Sequence, residues 1–464
     1  MTKASKKASN AVWETFHFGD ELGHVDSVTS FAGSEAGAAL LAVTIMMQSA
    51  VNDSVANLWK VAADFADGAW DDPAARAKIA DWAFEVDVED EFETIHKNVE
   101  KLGLAEVPEF EKYIRTFYQA ELGIPECSEE NDGEIVFSAN PFSVYFASDY
   151  SDGSMTMERF LCEGEKGSWR VALDKEKDTY KMGEGSDGEL RQGRVNRGLV
   201  YSYNASSKVW GLVSSAVARN AYFVEKSNIT DYVDIQEVYE GLKDDERVIF
   251  LLRHGKRGQN ATSKEDGLTP QGLDSAKFVG SKLKKFKEPL RLGASEFYRA
   301  QKTVIGIAMG RGQDTTVTDT ISALNDDWYM IDRQLVNQAE QKEGGWEATS
   351  LYAYTGAYSG EDADINAYYN LEERSVELIE LLLDKYKDEP DKFIMLSSHD
   401  KLMVPFVAYC SGRRIQHVKE RVGGHWWINY LAGIAIIWDK SGNRRYVAFK
   451  GLNDAYFDNV WNDD

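Results

Sequence analysis

"VIFLLRHGKRGQN", residues 248–260, runs five apolar residues straight into Arg253, His254, Lys256 and Arg257. The apolar run has the length of a strand, and its lack of polar alternation fits a strand covered on both faces, as in a parallel sheet. Basic groups crowded behind such a strand repel one another and contribute nothing to a packed core. A bound anion offsets that repulsion. The stretch therefore predicts a buried strand that delivers cations and an imidazole to an anion site.

Two further segments read the same way. "FIMLSS" at 393–398 is a second continuous apolar run, followed by His399 and Asp400. "LGASEFYRAQKT" at 292–303 offers a third strand end, with Arg299 at the start of the helix behind it. Helices lie between them. "TPQGLDSAKFVGSKLKKF" at 269–286 opens with Thr269 as a cap and Pro270 at the first helical position. "NLEERSVELIELLLDKY" at 370–386 is amphipathic and stops before Pro390. Strand, helix, strand, helix, strand predicts a doubly wound, mostly parallel α/β sheet over residues 231–464. Ligands bind beyond the carboxyl ends of such strands, so Arg253, His254, Arg299, His399 and Asp400 are expected to converge.

That set suits phosphoryl transfer. Guanidinium forks match phosphate oxygens and stay charged. Their field lowers the pKa of a nearby histidine and keeps it neutral and nucleophilic. A carboxylic acid can protonate the leaving oxygen, and a raised pKa would favour activity in mild acid. With arginines neutralising the phosphate, no metal or other cofactor is expected.

The rest of the chain differs in texture. Residues 1–128 read as helical, from "SVANLWKVAADFADGAW" (54–70), "DPAARAKIADWAFEV" (72–86) and "VPEFEKYIRTFYQAEL" (107–122). "AGAALLAVTIMMQSAV" (36–51) falls short of the ~20 residues of a membrane span and carries Thr44 and Gln48, so it reads as a core helix. Residues 129–230 read as small antiparallel sheets with an internal repeat. "SDGSMTMERFLCEGEKGSWRVALDKEKDTY" (151–180) overlays "SDGELRQGRVNRGLVYSYNASSKVWGLVSSAVARNAY" (186–222), which puts Trp169 on Trp210. The repeat resembles Trp-centred repeats of secreted bacterial proteins, and its aromatics are expected to pack a β core. His17, His24 and His96 are scattered and read as structural. His417 is left outside the site, and His425 either borders it or packs between Trp426 and Trp427.

At 464 residues two or three domains are expected. A net charge of −25 argues against nucleic acid or anionic lipid as a partner. Cys127, Cys162 and Cys410 have no metal-ligand spacing and leave one bridge open. The basic start has no apolar stretch behind it, so no signal peptide is read. The Trp repeat points to a secreted or cell-envelope location, and the missing signal points to the cytoplasm.

The C-terminal half resembles the histidine phosphatase superfamily, which includes phosphoglycerate mutases and histidine acid phosphatases. Four pieces carry the resemblance, in the family's order: "RHG" (253–255), "LTPQGLDSA" (268–276), "SEFYRAQKT" (295–303) and "SSHD" (397–400). It implies that His254 attacks phosphorus, that Arg253, Arg299 and His399 hold phosphate oxygens, and that Arg257 is a further clamp. Asp400 would protonate the leaving alcohol and then assist water. The acid phosphatase pattern "RHGxRxP" has Gln259 in the proline's place, whereas Asn260 matches an asparagine that contacts phosphate in the mutase-like branch. That branch's acidic glutamate has Asn337 at its expected offset in "DRQLVNQAE" (332–340), which leaves Glu340 as a reserve acid. The expected function is a metal-independent phosphomonoester hydrolase with a phosphohistidine intermediate, acting on a phosphorylated small molecule. The alternatives are a phosphomutase, or an inactive relative whose first 230 residues bind a carbohydrate or cell-surface partner.

Overall fold

The computed structural model describes residues 11–19, 22–23, 25, 33–49, 63–64, 70–102, 107–146, 160–258, 263–343, 347–356, 366–415, 417 and 427–457. The chain divides into two compact units, Met1–Gly183 and Glu184–Asp464.

In the first unit, helices α1 (Glu35–Ser49), α2 (Pro73–Val88), α3 (Phe92–Glu100) and α4 (Glu111–Leu122) precede a sheet of β1 (Ile135–Val136), β2 (Phe160–Glu163) and β3 (Ser168–Val171), then the short α5 (Asp174–Thr179). The expected core helix is α1, with Ala39, Ala42 and Met46 buried. Pro73 opens α2, and the Asp72 carboxylate caps it by accepting from the Ala74 and Ala75 N–H groups. α4 begins at Glu111, three residues beyond the proline, and ends on Gly123, whose φ of 66° suits the residue that closes a helix. The stretch 54–70 lies outside the described residues except for 63–64 and 70. Phe16, Phe84, Phe117 and Tyr118 pack with Phe160 and Trp169 in one core. His17 pairs with Glu121 at 2.6 Å and His96 with Glu111, so both serve structure. Among the described residues, no helix is long and apolar enough to cross a membrane.

Cys127 and Cys162 form a disulfide across 35 positions, and Cys410 is a buried free thiol. Closing a loop of that length restricts the unfolded chain by about 4 kcal/mol in the chain-entropy model. Reduction is therefore expected to lower the denaturant midpoint of the first unit and leave the second unchanged. Equal midpoints with and without reductant would refute this.

The second unit opens with β4 (Leu190–Gln192), β5 (Val200–Asn204), β6 (Val209–Leu212) and α6 (Ala216–Ser227). The β2–β3 and β5–β6 hairpins share one register, with Cys162 opposite Trp169 and Tyr203 opposite Trp210. The repeat extends further, but through another segment than expected. "SDG" at 151–153 lies outside the described residues, and the counterpart of Asp187-Gly188 is Asp132-Gly133. Asp132 accepts from the Gly164 N–H at 2.7 Å, and Asp187 from Ala205 at 3.0 Å. Gly133 donates to the Cys162 carbonyl and Gly188 to that of Tyr203, at φ of 74° and 76°. Chain inserted between β1 and β2 displaced the match in sequence. Trp169 and Trp210 are both buried. The expected β-rich region 129–230 is thus two modules in two units. The first shares the aromatic core above, while Val200 of the second joins the α/β core and Gln192 bonds to Asn443 at 2.9 Å.

The α/β part continues with β7 (Val233–Asp234), α7 (Ile235–Glu240), β8 (Arg247–Arg253), α8 (Pro270–Lys282), β9 (Leu290–Ala294), α9 (Tyr298–Arg311), β10 (Asp319–Thr320), α10 (Arg333–Glu343), α11 (Glu347–Thr355), α12 (Leu371–Tyr386), β11 (Phe393–Ser398), α13 (Asp400–Cys410), β12 (Trp427–Ile428), β13 (Ala432–Trp438), β14 (Arg444–Lys450) and β15 (Tyr456–Phe457). Seven strands form one sheet in the order β10-β9-β11-β8-β13-β14-β7. β10, β9, β11 and β8 are mutually parallel, as the sequence predicts, whereas β13 runs antiparallel to both β8 and β14. Alternate residues fill opposite faces: Ile249, Leu251, Ile394 and Leu396 meet α12 and α13 on one, and Val248, Phe250, Leu252, Phe393 and Met395 meet α8 and α9 on the other. This two-sided burial explains the unbroken apolar runs.

Candidate active site

Three parallel strand ends bring the predicted residues together. β8 ends in Arg253 and hands on to His254, the turn after β9 leads through Ser295 to Arg299 in α9, and β11 leads to His399 and Asp400. Gly255 is required where the chain leaves β8, because a Cβ there would lie 2.9 Å from the Gly272 carbonyl oxygen. Thr269 caps α8 by accepting from the Gly272 N–H at 3.0 Å, and Thr303 Oγ1 accepts from the Gly255 N–H at 2.9 Å. The Gly255–Thr303 bond, together with the Thr269 N–H donating to the Lys256 carbonyl at 2.9 Å, holds the His254 loop against α9 and the start of α8.

The imidazole rings of His254 and His399 lie 5.3 Å apart. One arginine sets both tautomers, because a guanidinium only donates. Arg299 Nε–H points at His254 Nε2 (3.3 Å) and Nη2–H at His399 Nδ1 (3.3 Å), so both nitrogens present lone pairs. The His254 proton is then on Nδ1, which donates to the Gly255 carbonyl at 2.7 Å. The His399 proton is on Nε2, directed at Ser295 Oγ, 2.8 Å away. Arg299 is tied down by the Ser263 carbonyl (3.0 Å). Arg253 donates to the Ile428 carbonyl (2.5 Å) and to Asp400 Oδ2 (3.1 Å), and its guanidinium lies over the Tyr430 ring, 4.2 Å from its centre.

Arg253, His254, Arg299 and His399 are 2%, 2%, 5% and 1% exposed, so their charges act with little solvent screening. Burial, the neighbouring imidazole of His399, and Arg253 and Arg299 push His254 well below the ordinary histidine value. Burial and Arg299 take His399 down to about 3, against the partial opposition of Asp326 and Asp400. Both rings are therefore neutral at working pH.

The carboxylate departs from expectation. Burial raises the Asp400 carboxyl, but the charge of Arg253, joined in strong acid by protonated His254 and His399, and a hydrogen bond from Trp427 outweigh it and hold the group below the usual carboxylate range. Asp400 is thus ionised in the empty site instead of poised there as an acid. A second carboxylate, missed in sequence, acts on the same groups. Asp326 opposes the downward shifts of both His399 and Arg299. Burial raises its own pKa, and its bond and ion pair with Arg333 lower it by more.

The other site candidates fall as follows. Arg257 is half-buried and close enough to depress Arg299, after burial itself. Glu340 is ion-paired to Lys401 Nζ at 2.7 Å, and Asn337 is exposed. Gln259, Asn260, His24, His425 and Trp426 lie outside the described residues. His417 is buried 3.2 Å from the Tyr232 hydroxyl. Among the described residues, no group of three or more His, Cys, Asp or Glu converges as a metal site.

The neutral buried imidazoles make stability depend on pH. Each folded-state pKa is lowered, so below the unfolded value of ~6.5 the unfolded chain gains protons that the folded chain refuses. Stability should fall from pH 6.5 towards the folded value of about 3 for His399, by about 1.4 kcal/mol per pH unit per histidine. Inorganic phosphate, which favours protonated neighbours, should restore part of the loss. Melts of the second unit at pH 7 and pH 5 check this, and an unchanged melt, or no flattening in His399→Gln, would contradict it.

No curated protein matches the chain. Solved structures similar to it include phosphoglycerate mutase from Bacillus anthracis, at 14% identity, covering 44% of this chain and 92% of that one, with a TM-score of 0.32. A mycobacterial glucosyl-3-phosphoglycerate phosphatase is similar at 16% identity, covering 44% of this chain and 97% of that one, TM-score 0.28. Mycobacterial hydrolase 1 is similar at 18%, covering 45% and 100%, TM-score 0.30. The family model that the chain matches, across residues 249–427 and so over every strand end that carries the cluster, is that of the histidine phosphatase superfamily (branch 1).

Proposed function

We propose that the protein is a phosphomonoester hydrolase that acts through a phosphohistidine, with guanidinium groups supplying the charge neutralisation. The observation that carries this reading is the orientation of His254: Nδ1–H is held by the Gly255 carbonyl, and Nε2 offers its lone pair beside Arg299. A buried neutral imidazole of this tautomer is a nucleophile. It attacks phosphorus as the bond to the leaving oxygen breaks, while Arg253 and Arg299 donate to the non-bridging oxygens, His399 joins them when the bound dianion favours its protonation at Nδ1, and Arg257 adds charge from outside.

The leaving oxygen needs a proton. A phosphate dianion beside Asp400 raises the pKa of that carboxyl by like-charge repulsion and draws Arg253 towards its own oxygens. Asp400 is thereby able to hold a proton in the substrate complex and pass it to the leaving alcohol. Water then attacks phosphorus, gives its proton to Asp400, and the phosphorus–nitrogen bond breaks to release phosphate. The substrate class is a phosphorylated small molecule.

The test is phosphate release from 4-nitrophenyl phosphate and from an alkyl phosphate, with and without chelator. Turnover insensitive to chelator is expected. A well-folded sample that releases no phosphate from either ester between pH 4 and pH 8 would overturn the reading.

A further inference from the structure

Asp400 is held from a direction that the parallel sheet does not supply. The indole N–H of Trp427 donates to Asp400 Oδ2 at 3.1 Å, the oxygen that also accepts from Arg253 at 3.1 Å. Oδ1 accepts from the Lys401 backbone N–H at 2.9 Å. Trp427 is buried and belongs to β12, which pairs with the C-terminal strand β15. The chain that follows closes around Arg253. The Ile428 carbonyl accepts from its guanidinium, Tyr430 lies against its face, and the Leu431 N–H donates to its carbonyl at 3.0 Å. Leu431 takes φ of 61°, a left-handed conformation that costs a bulky residue about 1–2 kcal/mol and persists only where its surroundings enforce it. Residues 427–431 are thus a built cradle.

We infer that Trp427 is a positioning residue that orients the proton on Asp400, an inference that rests on the hydrolase reading above. In the empty site, Oδ2 has two donors and therefore two occupied lone pairs. Substrate draws Arg253 to the phosphate and opens one of them, on the phosphate side. Trp427 keeps the other. The proton that Asp400 acquires then sits on the side facing the leaving oxygen, and rotation of the carboxyl is blocked by the indole at Oδ2 and the backbone at Oδ1. Among the described residues, the charged and titratable groups facing Asp400 are Arg253 and His254 from the end of β8, Arg299 from α9 and its own neighbour His399. None of these is an uncharged donor that stays in place when a dianion binds. Trp427 is such a donor.

The experiment uses the full chain and two esters that differ in their need for a proton. 4-Nitrophenolate leaves unprotonated, whereas an alkoxide does not. Trp427→Phe keeps an aromatic ring, though a smaller one, and loses the N–H. It is expected to lower kcat/KM for glycerol 2-phosphate at least ~10-fold while leaving 4-nitrophenyl phosphate within about threefold. In an Asp400→Asn background, the same change should have no further effect on either ester. Equal losses on both esters, or a loss that persists in the Asp400→Asn background, would show that the indole acts only by packing, and the inference alone would fall. If wild type hydrolyses neither ester, the hydrolase reading fails and this inference goes with it. A melt of Trp427→Phe that matches wild type excludes unfolding as the cause of any loss.

Discussion

His254→Ala is expected to lower turnover at least ~10⁴-fold and to abolish transient labelling of the protein by phosphate. The size follows from what the side chain alone supplies. Its Nε2 is the acceptor that Arg299 Nε–H addresses at 3.3 Å, and its other nitrogen is spent on the Gly255 carbonyl. His399 cannot replace it. That ring is 5.3 Å away, edge-on, with Nε2 committed to Ser295 Oγ and Nδ1 facing Arg299 Nη2. The fold should survive, because β8 is held by six parallel positions with β11 and six antiparallel positions with β13. Inorganic phosphate should still bind through Arg253 and Arg299, which separates lost chemistry from lost binding. Labelling that persists in His254→Ala would mean that another group attacks phosphorus.

What the sequence made legible follows from how each feature is encoded. β8 and β11 are buried on both faces, so their apolar runs are continuous and the residues behind them announce the edge of the sheet. Thr269-Pro270 and Asn370 cap α8 and α12 through their own side chains, which makes those helix starts local signals. Asp326 was invisible for the opposite reason. It follows β10, a strand of two residues, too short to show any periodicity, yet parallel to β9 and ending at the same edge. Trp427 gave no signal because β12 and the antiparallel β13 break the strand–helix alternation that organised the reading. The low proton affinity of Asp400 depends on Arg253 and Trp427, 147 and 27 positions away, and no spacing rule encodes that. The duplicated module was legible through its tryptophans, while its Asp-Gly anchor was misplaced, since chain inserted between β1 and β2 hid the true partner at 132–133.

Arg299→Met should lower kcat/KM roughly 10³-fold, and it should also change how the empty site titrates. Three groups depend on this guanidinium: Nε serves His254, Nη2 serves His399 and Nη1 serves the Ser263 carbonyl. A lysine offers one point charge without the planar fork, so Arg299→Lys is expected to restore less than a tenth of the lost activity. The charge of Arg299 is, after burial, the largest influence holding His399 down at about 3. Removing it must raise that pKa, although burial will keep it below the ordinary ~6.5. A group whose folded pKa rises towards its unfolded value penalises folding less in acid, so Arg299→Met should lose less stability between pH 6.5 and pH 3 than wild type does. Activity and acid resistance should therefore move in opposite directions in one variant. Histidine ring resonances followed by NMR through that range give the titration directly, and stability melts give its consequence. An Arg299→Lys variant within about tenfold of wild type, or a His399 titration unmoved in Arg299→Met, would mean that the guanidinium does not stand between the two rings as an electrostatic and geometric bridge.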